Sequence, residues 1–124
     1  MARILVVDDS PSETHQFVAT LSRQGHEVMT AGTGSSGIEM ASEQLPDVIL
    51  MDVVMPGMNG FQATRQLTRS DTTGHIPVII VSAKSQQVDR VWGERQGASG
   101  YLIKPVDDRT LIKTINTVLD DVQQ

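Results

Sequence analysis

Carboxylates, a hydroxyl and an ammonium stand in this sequence at the points where short apolar runs end. Asp8 and Asp9 follow the run at 4–7, Asp52 follows 47–51, Ser82 follows 77–81 and Lys104 follows 100–103. Three carboxylates in one place cannot all stay ionised without a counter-charge. Mg²⁺ supplies such a charge, prefers oxygen ligands and keeps positions open for water or phosphate. With the fixed positive charge of Lys104 beside it, a site of this kind suits a phosphoryl group.

The elements that must gather these groups are five short apolar runs separated by amphipathic stretches. Most of the runs are continuous and rich in Val and Ile, which predicts strands buried on both faces of a parallel sheet. The runs lie at 4–7, 27–31, 47–51, 77–81 and 100–103, and the predicted helices at 12–25, 35–45, 60–70, 85–97 and 107–121. Regular alternation of strand and helix predicts a doubly wound α/β domain with helices on both faces of the sheet. In the strand order 2-1-3-4-5, the ends of strands 1, 3, 4 and 5 lie side by side and bring the polar residues to one edge.

The apolar positions of two helices carry further expectations. Leu45 is predicted to lie on the buried stripe of the second helix. Val88, Val91 and Trp92 are the apolar positions of the fourth helix. Trp92 is predicted to be a packing residue, and partial exposure for contact with a partner is the alternative. Gly93 weakens the same helix by about 1 kcal/mol relative to Ala, which suits either a segment that shifts or a local need for close packing.

Length, composition and charge restrict the class of protein. A chain of 124 residues is the size of one domain, and the absence of Cys excludes a disulfide framework, a thiolate metal site and a Cys nucleophile. The net charge of -5 argues against nonspecific nucleic-acid binding and against docking on anionic membranes. No apolar run approaches the roughly 20 residues of a membrane span, and the early acidic residues do not fit a secretory signal. We therefore expect no membrane insertion and a cytoplasmic location.

Two other kinds of site fit parts of the sequence but not the whole. The segment GTGSSG at 32–37 matches the glycine pattern of dinucleotide-binding loops, with Asp52 about 20 residues further on. It follows the second predicted strand rather than the first and leaves the other polar strand ends unexplained, so a flexible turn with capping Ser35 and Ser36 is favoured. A haloacid-dehalogenase-type phosphatase also uses a nucleophilic Asp with Mg²⁺, but Val54 stands where its general acid would be.

Four motifs, in order and at consistent spacing, resemble the receiver domains of two-component response regulators. They are VVDDSP, DVILMDVVMPGMNG, IPVIIVSAK and GYLIKPVD, and the resemblance covers the whole chain. It implies a CheY-like receiver domain over 1–124 with no effector domain. It also implies a flavodoxin-like (βα)5 fold whose parallel five-stranded sheet has the order 2-1-3-4-5. Such a domain is a phosphoacceptor signalling domain rather than an enzyme, since it catalyses only its own phosphorylation and dephosphorylation.

The resemblance implies a role for each matched residue in the phosphorylation chemistry. Asp52 would be the nucleophile that becomes an aspartyl phosphate. Asp9 would bind Mg²⁺ directly and Asp8 largely through water, and the backbone carbonyl of Val54 would complete the ligands that the protein supplies beside Asp52. Lys104 would pair with a phosphoryl oxygen.

A second set of matched residues would transmit the phosphorylation. Ser82, where Thr is more usual, would hydrogen-bond a phosphoryl oxygen, and Tyr101 would turn inward as Ser82 moves towards the phosphate. The bond between Lys104 and Pro105 would be cis. The output surface would include Val91, Trp92 and Tyr101.

Finer similarity indicates one branch of the family. GFQATRQLT, IPVIIV and VWGERQGA resemble the PilH-type stand-alone receivers of type IV pilus chemosensory systems, and the receivers of cyanobacterial phototaxis are similar. The resemblance implies a CheA-like sensor histidine kinase as phosphodonor and an unknown downstream protein as the partner of the phosphorylated form. The alternative is a phosphate sink that drains phosphoryl groups from the kinase by autodephosphorylation. Val54 and Lys84 stand at positions that tune phosphate lifetime in the family, and a receiver that never takes phosphate is disfavoured because all the site residues are present.

Overall fold

Five parallel strands alternate with five helices in the computed structural model, which describes residues 1–83 and 86–123 and, of residues 122 and 123, only the backbone. Along the chain the elements are β1 (Arg3–Val7), α1 (Pro11–Arg23), β2 (Glu27–Ala31), α2 (Gly34–Gln44), β3 (Val48–Asp52), α3 (Gly60–Arg69), β4 (Val78–Ser82), α4 (Gln87–Arg95), β5 (Gly100–Ile103) and α5 (Asp108–Gln123). The strands form one sheet in the order β2-β1-β3-β4-β5, and every neighbouring pair is parallel. The predicted α/β fold with its flavodoxin-like strand order is therefore confirmed. Lys84, a position predicted to tune phosphate lifetime, lies outside the described residues.

The sheet carries a hydrophobic layer on each face, because successive side chains of a strand point to opposite sides. On one face Ile4 and Val6 of β1 pack with side chains of α1 and α5, and on the other face Leu5 and Val7 pack with side chains of α2 and α3. Ile4, Leu5 and Val7 have no exposed surface, and each buried aliphatic side chain contributes about 1.5–3 kcal/mol of transfer free energy. Burial on both faces explains why the β1 run is continuously apolar rather than alternating.

The helices begin and end close to the predicted positions. Each bound lies within two residues of its prediction, which is the usual uncertainty of a helix end. Their lengths run from 9 residues in α4 to 16 in α5. Among the helices of the described ranges, none is both long enough and apolar enough to cross a membrane.

Polar caps begin the helices that follow β2 and β3. At the start of α2, Thr33 and Ser36 form a capping box, in which each side chain accepts the other residue's backbone N–H, and Asn59 and Gln62 do the same at the start of α3. These reciprocal bonds satisfy N–H groups that the first turn of a helix leaves without partners. Ser36 therefore takes part in capping α2 as predicted, whereas the N-cap is Thr33 and not Ser35.

Gly37 accounts for the last glycine of GTGSSG without a nucleotide. It lies in α2 against β1, and a Cβ at this position would come within 2.7 Å of Cγ2 of Val7. Only a residue without a side chain permits so close an approach of helix to strand. Close packing of α2 on β1 therefore accounts for this glycine.

The prediction that Leu45 lies on the buried stripe of α2 is wrong. The helix ends at Gln44, and Leu45 is its C-cap in the left-handed conformation, with φ of 47°. Its backbone N–H still donates to the carbonyl of Ala41, but the residue is 47% exposed. The helix therefore ends one residue before Leu45, and the side chain of Leu45 does not reach the core.

The prediction that Trp92 is a packing residue is also wrong. Trp92 is 50% exposed, and Val88 and Val91 on the same helix are exposed as well. The buried residue of α4 is Gly93, where a Cβ would lie 3.0 Å from Cδ1 of Ile80. This close approach favours local packing as the reason for a glycine inside the helix.

Candidate functional site

The predicted polar residues meet at the edge of the sheet where β1, β3, β4 and β5 end. Asp52 and Ser82 are the last residues of β3 and β4, and Asp8 and Lys104 directly follow β1 and β5. Backbone bonds hold the two flanking residues. The N–H of Asp8 donates to the carbonyl of Ala31 at 3.0 Å, and the N–H of Lys104 donates to that of Ser82 at 2.8 Å. Residues distant in sequence share one site because parallel strands end at the same edge.

Asp8, Asp9 and Asp52 form an acidic cluster whose donor atoms fit a divalent cation. One oxygen from each carboxylate lies within 4.8 Å of the other two. Burial raises the pKa of Asp8 and of Asp52 above the usual value, and the neighbouring carboxylates raise both pKa values further. A cation bound by these oxygens would offset the repulsion, and hard oxygen ligands are those that Mg²⁺ prefers. The residues present therefore fit the predicted Mg²⁺.

The ammonium of Lys104 lies among three carboxylates. Its Nζ is 2.9 Å from Oδ1 of Asp52, 3.4 Å from Oδ2 of Asp8 and 2.8 Å from Oε2 of Glu13. Burial alone would lower the pKa of Lys104, but the hydrogen bonds to Glu13 and Asp52 outweigh burial and raise the pKa above its usual value. At neutral pH the side chain is therefore fully charged and lies directly beside the carboxylate predicted to be the nucleophile.

Glu13 belongs to the site, although the sequence reasoning missed it. It lies in the first turn of α1, three residues after the N-cap Ser10, and pairs with Lys104 across 91 sequence positions. A Glu at this spacing from a Ser is typical of a capping box, so a local role already accounts for it. The sequence feature that could have indicated Glu13 is its position shortly after β1, because the start of α1 then lies at the same edge of the sheet.

Ser82 is linked to the surface of the domain through Tyr101. The buried hydroxyl of Ser82 shares a hydrogen bond with the phenol of Tyr101 on the neighbouring strand. Burial raises the pKa of Tyr101 and outweighs the effect of that hydrogen bond, so the phenol is neutral. The guanidinium of Arg90 in α4 lies 5.6 Å from the centre of the ring, and Gly93 of α4 approaches the ring edge. Ser82, Tyr101 and α4 are thus in continuous contact.

The remaining predicted residues lie around this centre. Val54, two residues after Asp52, stands in the loop between β3 and α3 and is 66% exposed. The peptide bond between Lys104 and Pro105 is cis. Val91 and Trp92 lie on the exposed face of α4, outside the acidic cluster.

The start of α3 packs against the backbone of Asp52. The N–H of Gly60 donates to the carbonyl of Val53 at 2.9 Å. A Cβ at Gly60 would overlap the carbonyl oxygen of Asp52 and lie 2.8 Å from the Cα of Val53. These are backbone atoms of the predicted nucleophile and of the residue that follows it, so the position requires a residue without a side chain.

Replacing Gly60 with Ala is expected to lower the free energy of unfolding by about 2–3 kcal/mol, because the overlap outweighs the gain of up to about 1 kcal/mol in helix propensity. Urea unfolding followed by circular dichroism measures the change. Gly32→Ala is the matched control, since a Cβ there meets nothing within 4 Å, and its effect is expected to stay within about 0.5 kcal/mol. Equal stability of the two variants would contradict the steric argument.

The sequence is similar to known signalling proteins over almost its whole length. A model of the response regulator receiver domain matches residues 4–116. Protein PilH of Pseudomonas aeruginosa is 60% identical over 119 residues, which make up 96% of this chain and 98% of PilH. The response regulator PleD of Caulobacter vibrioides is 42% identical over an alignment of 129 positions that covers 99% of this chain and 28% of PleD.

Solved structures show the same arrangement of elements. The chemotaxis protein CheY4 of Vibrio cholerae superposes with a TM-score of 0.90 at 34% identity, covering 95% of this chain and 98% of CheY4. The receiver domain of a sensor histidine kinase of Pseudomonas aeruginosa PAO1 superposes with a TM-score of 0.89 at 28% identity, covering 96% of this chain and 98% of that domain. In that second structure a magnesium ion is coordinated in the active site cleft.

Proposed function

Because this chain belongs to the family of response regulator receiver domains, we propose that it accepts a phosphoryl group on Asp52 in a Mg²⁺-dependent reaction and signals by phosphorylation-dependent binding to another protein. The observation that carries the proposal is the ammonium of Lys104, 2.9 Å from Asp52 within the acidic cluster. A carboxylate nucleophile beside a fixed cation and cation-binding oxygens has the parts that phosphoryl transfer to a side chain needs.

The phosphodonor we propose is a phosphohistidine on a CheA-like sensor histidine kinase. A carboxylate oxygen of Asp52 forms a bond to phosphorus while the bond from phosphorus to the imidazole nitrogen breaks. The imidazole leaves with that electron pair and takes up a proton. Lys104, already paired with Asp52, would then hold a phosphoryl oxygen through a charge-assisted hydrogen bond.

The groups that would hold Mg²⁺ are Asp8, Asp9, Asp52 and the backbone carbonyl of Val54. When bound, the ion offsets the negative charge on the phosphoryl oxygens during transfer. The chain itself fixes the carboxylates: the N–H of Ser10 donates to Oδ1 of Asp8 at 2.9 Å, and burial restrains Asp52. The ordered carboxylates support the proposal because a fixed geometry does not have to be assembled during the reaction.

The proposed switch runs through Ser82 and Tyr101. A phosphoryl oxygen on Asp52 would draw the hydroxyl of Ser82, which shares its hydrogen bond with Tyr101 in this structure. Tyr101 would then change its position against α4, whose Arg90 and Gly93 contact the ring. Phosphorylation would in this way shift the balance between two arrangements of the surface that includes Val91, Trp92 and Tyr101.

The pathway we propose is a chemosensory one that acts on type IV pili or phototaxis. Identity of 60% to PilH over 96% of this chain supports this assignment. The resemblance of GFQATRQLT and VWGERQGA to PilH-type receivers supports it as well. The downstream protein would bind the exposed face of α4, where Trp92 offers the aromatic surface that protein interfaces favour.

Intact mass after incubation with acetyl phosphate tests the phosphoacceptor role. In the presence of Mg²⁺ the protein is expected to gain the mass of one phosphoryl group. With excess chelator it is expected to gain none, because no divalent cation then offsets the charge of the carboxylates and of the phosphoryl oxygens. Purified histidine kinase serves as a second donor. A gain that is independent of Mg²⁺, or no gain from either donor, would contradict the proposal.

The decay of the added mass separates a binding switch from a phosphate sink. If the phosphorylated form lives longer than a partner protein needs to bind and dissociate, the switch is favoured, since a partner then has time to bind it. Decay that keeps pace with transfer from the kinase favours the sink, because phosphoryl groups then pass through Asp52 to water.

A further inference from the structure

The first turn of α1 has an incomplete capping box, in which only one of the two reciprocal hydrogen bonds is made. Ser10 and Glu13 have the required spacing, and the hydroxyl of Ser10 accepts the N–H of Glu13 at 3.5 Å. The N–H of Ser10, however, donates to Oδ1 of Asp8 at 2.9 Å instead of to the side chain of Glu13. In α2 and α3 both bonds of the box are made. The side chain of Glu13 is therefore released from the local role that its position would give it.

Glu13 binds Lys104 instead. Its Oε2 lies 2.8 Å from Nζ, slightly closer than the oxygens of Asp52 and Asp8, at 2.9 and 3.4 Å. A lysine ammonium has three N–H donors, and the three carboxylates can take all of them. A phosphoryl group on Asp52 would need one of these donors as well. Glu13 is the partner best able to leave, since its side chain is 40% exposed whereas those of Asp8 and Asp52 are 3% and 7% exposed.

We propose that Glu13 competes with the phosphoryl group for the ammonium of Lys104 and thereby favours the unphosphorylated form. This role rests on the proposed phosphorylation of Asp52. When the phosphoryl group arrives, Lys104 exchanges the carboxylate of Glu13 for a phosphoryl oxygen, and the released carboxylate is hydrated at the surface. Glu13 is thus a positioning residue that acts through its contact with Lys104.

The charge of Glu13 acts in the same direction as its contact. It adds a fourth carboxylate to a site in which Lys104 is the neighbouring ammonium, and so repels an incoming phosphoryl dianion. Because Glu13 is partly exposed, water screens both the ion pair and the repulsion. We therefore expect its removal to shift phosphoryl affinity by about 1.5- to fivefold rather than to create or abolish binding.

Beryllofluoride, a stable mimic of the phosphoryl group, measures this competition at equilibrium. With Mg²⁺ in excess, Glu13→Gln is expected to bind beryllofluoride about 1.5- to fivefold more tightly than wild type in a ¹⁹F NMR titration. Gln has nearly the same size as Glu and suits the same position in a helix start, so the fold is kept. Glu43→Gln is the matched control, because it removes the same charge from an exposed position near the far end of α2, and its affinity is expected to equal that of wild type.

Glu13→Asp separates the contact from the charge. Asp keeps the negative charge but is one methylene shorter, so it loses the 2.8 Å contact with Lys104. If Glu13 competes through that contact, Glu13→Asp binds beryllofluoride more tightly than wild type, as Glu13→Gln does. Wild-type affinity in Glu13→Asp beside tighter binding in Glu13→Gln would attribute the effect to charge at a distance and overturn the proposal.

The outcomes also separate this role from the phosphoacceptor function. A wild-type protein that gains the phosphoryl mass and binds beryllofluoride, with unchanged affinity in both Glu13 variants, would refute only the competition. A wild-type protein that does neither would refute both, since Glu13 would have no phosphoryl group with which to compete.

Discussion

Asparagine in place of Asp52 is expected to abolish labelling by acetyl phosphate, with a loss of at least about 100-fold, because the neutral amide is a far weaker nucleophile than a carboxylate. Intact mass, measured under conditions that label the wild-type protein, reports the loss. Asp71→Asn is the matched control, since Asp71 is exposed after α3 and carries the same substitution to another part of the surface. Labelling of Asp52→Asn at the wild-type rate would place the nucleophile elsewhere.

The fold of the Asp52→Asn variant is expected to be intact. Burial raises the pKa of Asp52 above its usual value, so the folded state favours the protonated carboxyl. The folded state therefore loses stability as the pH rises from the usual pKa of the carboxyl to the raised pKa. Asparagine carries no charge and avoids this loss. In Mg²⁺-free buffer at pH 7 its thermal midpoint is therefore expected to be no lower than that of wild type, which calorimetry can measure.

Replacing Asp9 with Asn is expected to weaken Mg²⁺ binding by at least about tenfold, because it removes one of the few charged ligands on which Mg²⁺ relies. Asp9 is the exposed member of the acidic cluster, so the substitution leaves the buried carboxylates in place. Isothermal titration calorimetry gives the dissociation constant. Wild-type affinity in Asp9→Asn would refute the metal assignment.

A companion measurement distinguishes a lost ligand from a damaged site. Labelling of Asp9→Asn by acetyl phosphate is expected to fall at limiting Mg²⁺ and to recover as Mg²⁺ is raised, because Asp52 and Lys104 are unchanged. Asp71→Asn is expected to keep the wild-type Mg²⁺ affinity. Failure of labelling to recover would mean that Asp9 does more than bind the cation.

The order of the elements could be predicted from the sequence because local patterns determine it. The runs of β1, β3 and β4 are apolar at consecutive positions since both faces of these central strands are covered by helices. The polar residues that end the runs stand at one edge because the strands are parallel and finish on the same side of the sheet. Asp8, Asp52 and Lys104 could therefore be grouped before any distance was known.

Predictions were wrong where a side chain depends on what lies beyond its own element. Leu45 continues the apolar spacing of α2, but the backbone turns into the left-handed conformation there and carries the side chain to solvent. Trp92 is apolar and helical, yet the face of α4 that meets the sheet is the one with Gly93. Spacing along a helix indicates which residues share a face, but not which face is covered.

Glu13 was missed for a related reason. Its spacing from Ser10 is fully explained by a local capping box, and no pattern in the sequence connects it with Lys104. The pair forms because Asp8 takes the N–H that would otherwise bind Glu13. Whether Glu13 binds the N–H of Ser10 or the ammonium of Lys104 is decided in the folded site, and it leaves no periodic pattern in the sequence.

The attachment of α4 has a consequence for how proteins of this kind diversify. A small cluster separate from the two main layers lies beneath the helix, and it consists of Val53, Phe61 and Ile80 with Ala98 and Tyr101 packed against it. The outward side chains of α4 add little to that cluster, so replacing them changes the stability of the domain only slightly. After gene duplication, this face can therefore accumulate substitutions and acquire new partners while Gly93 keeps the helix seated and the chemistry at the sheet edge is inherited unchanged.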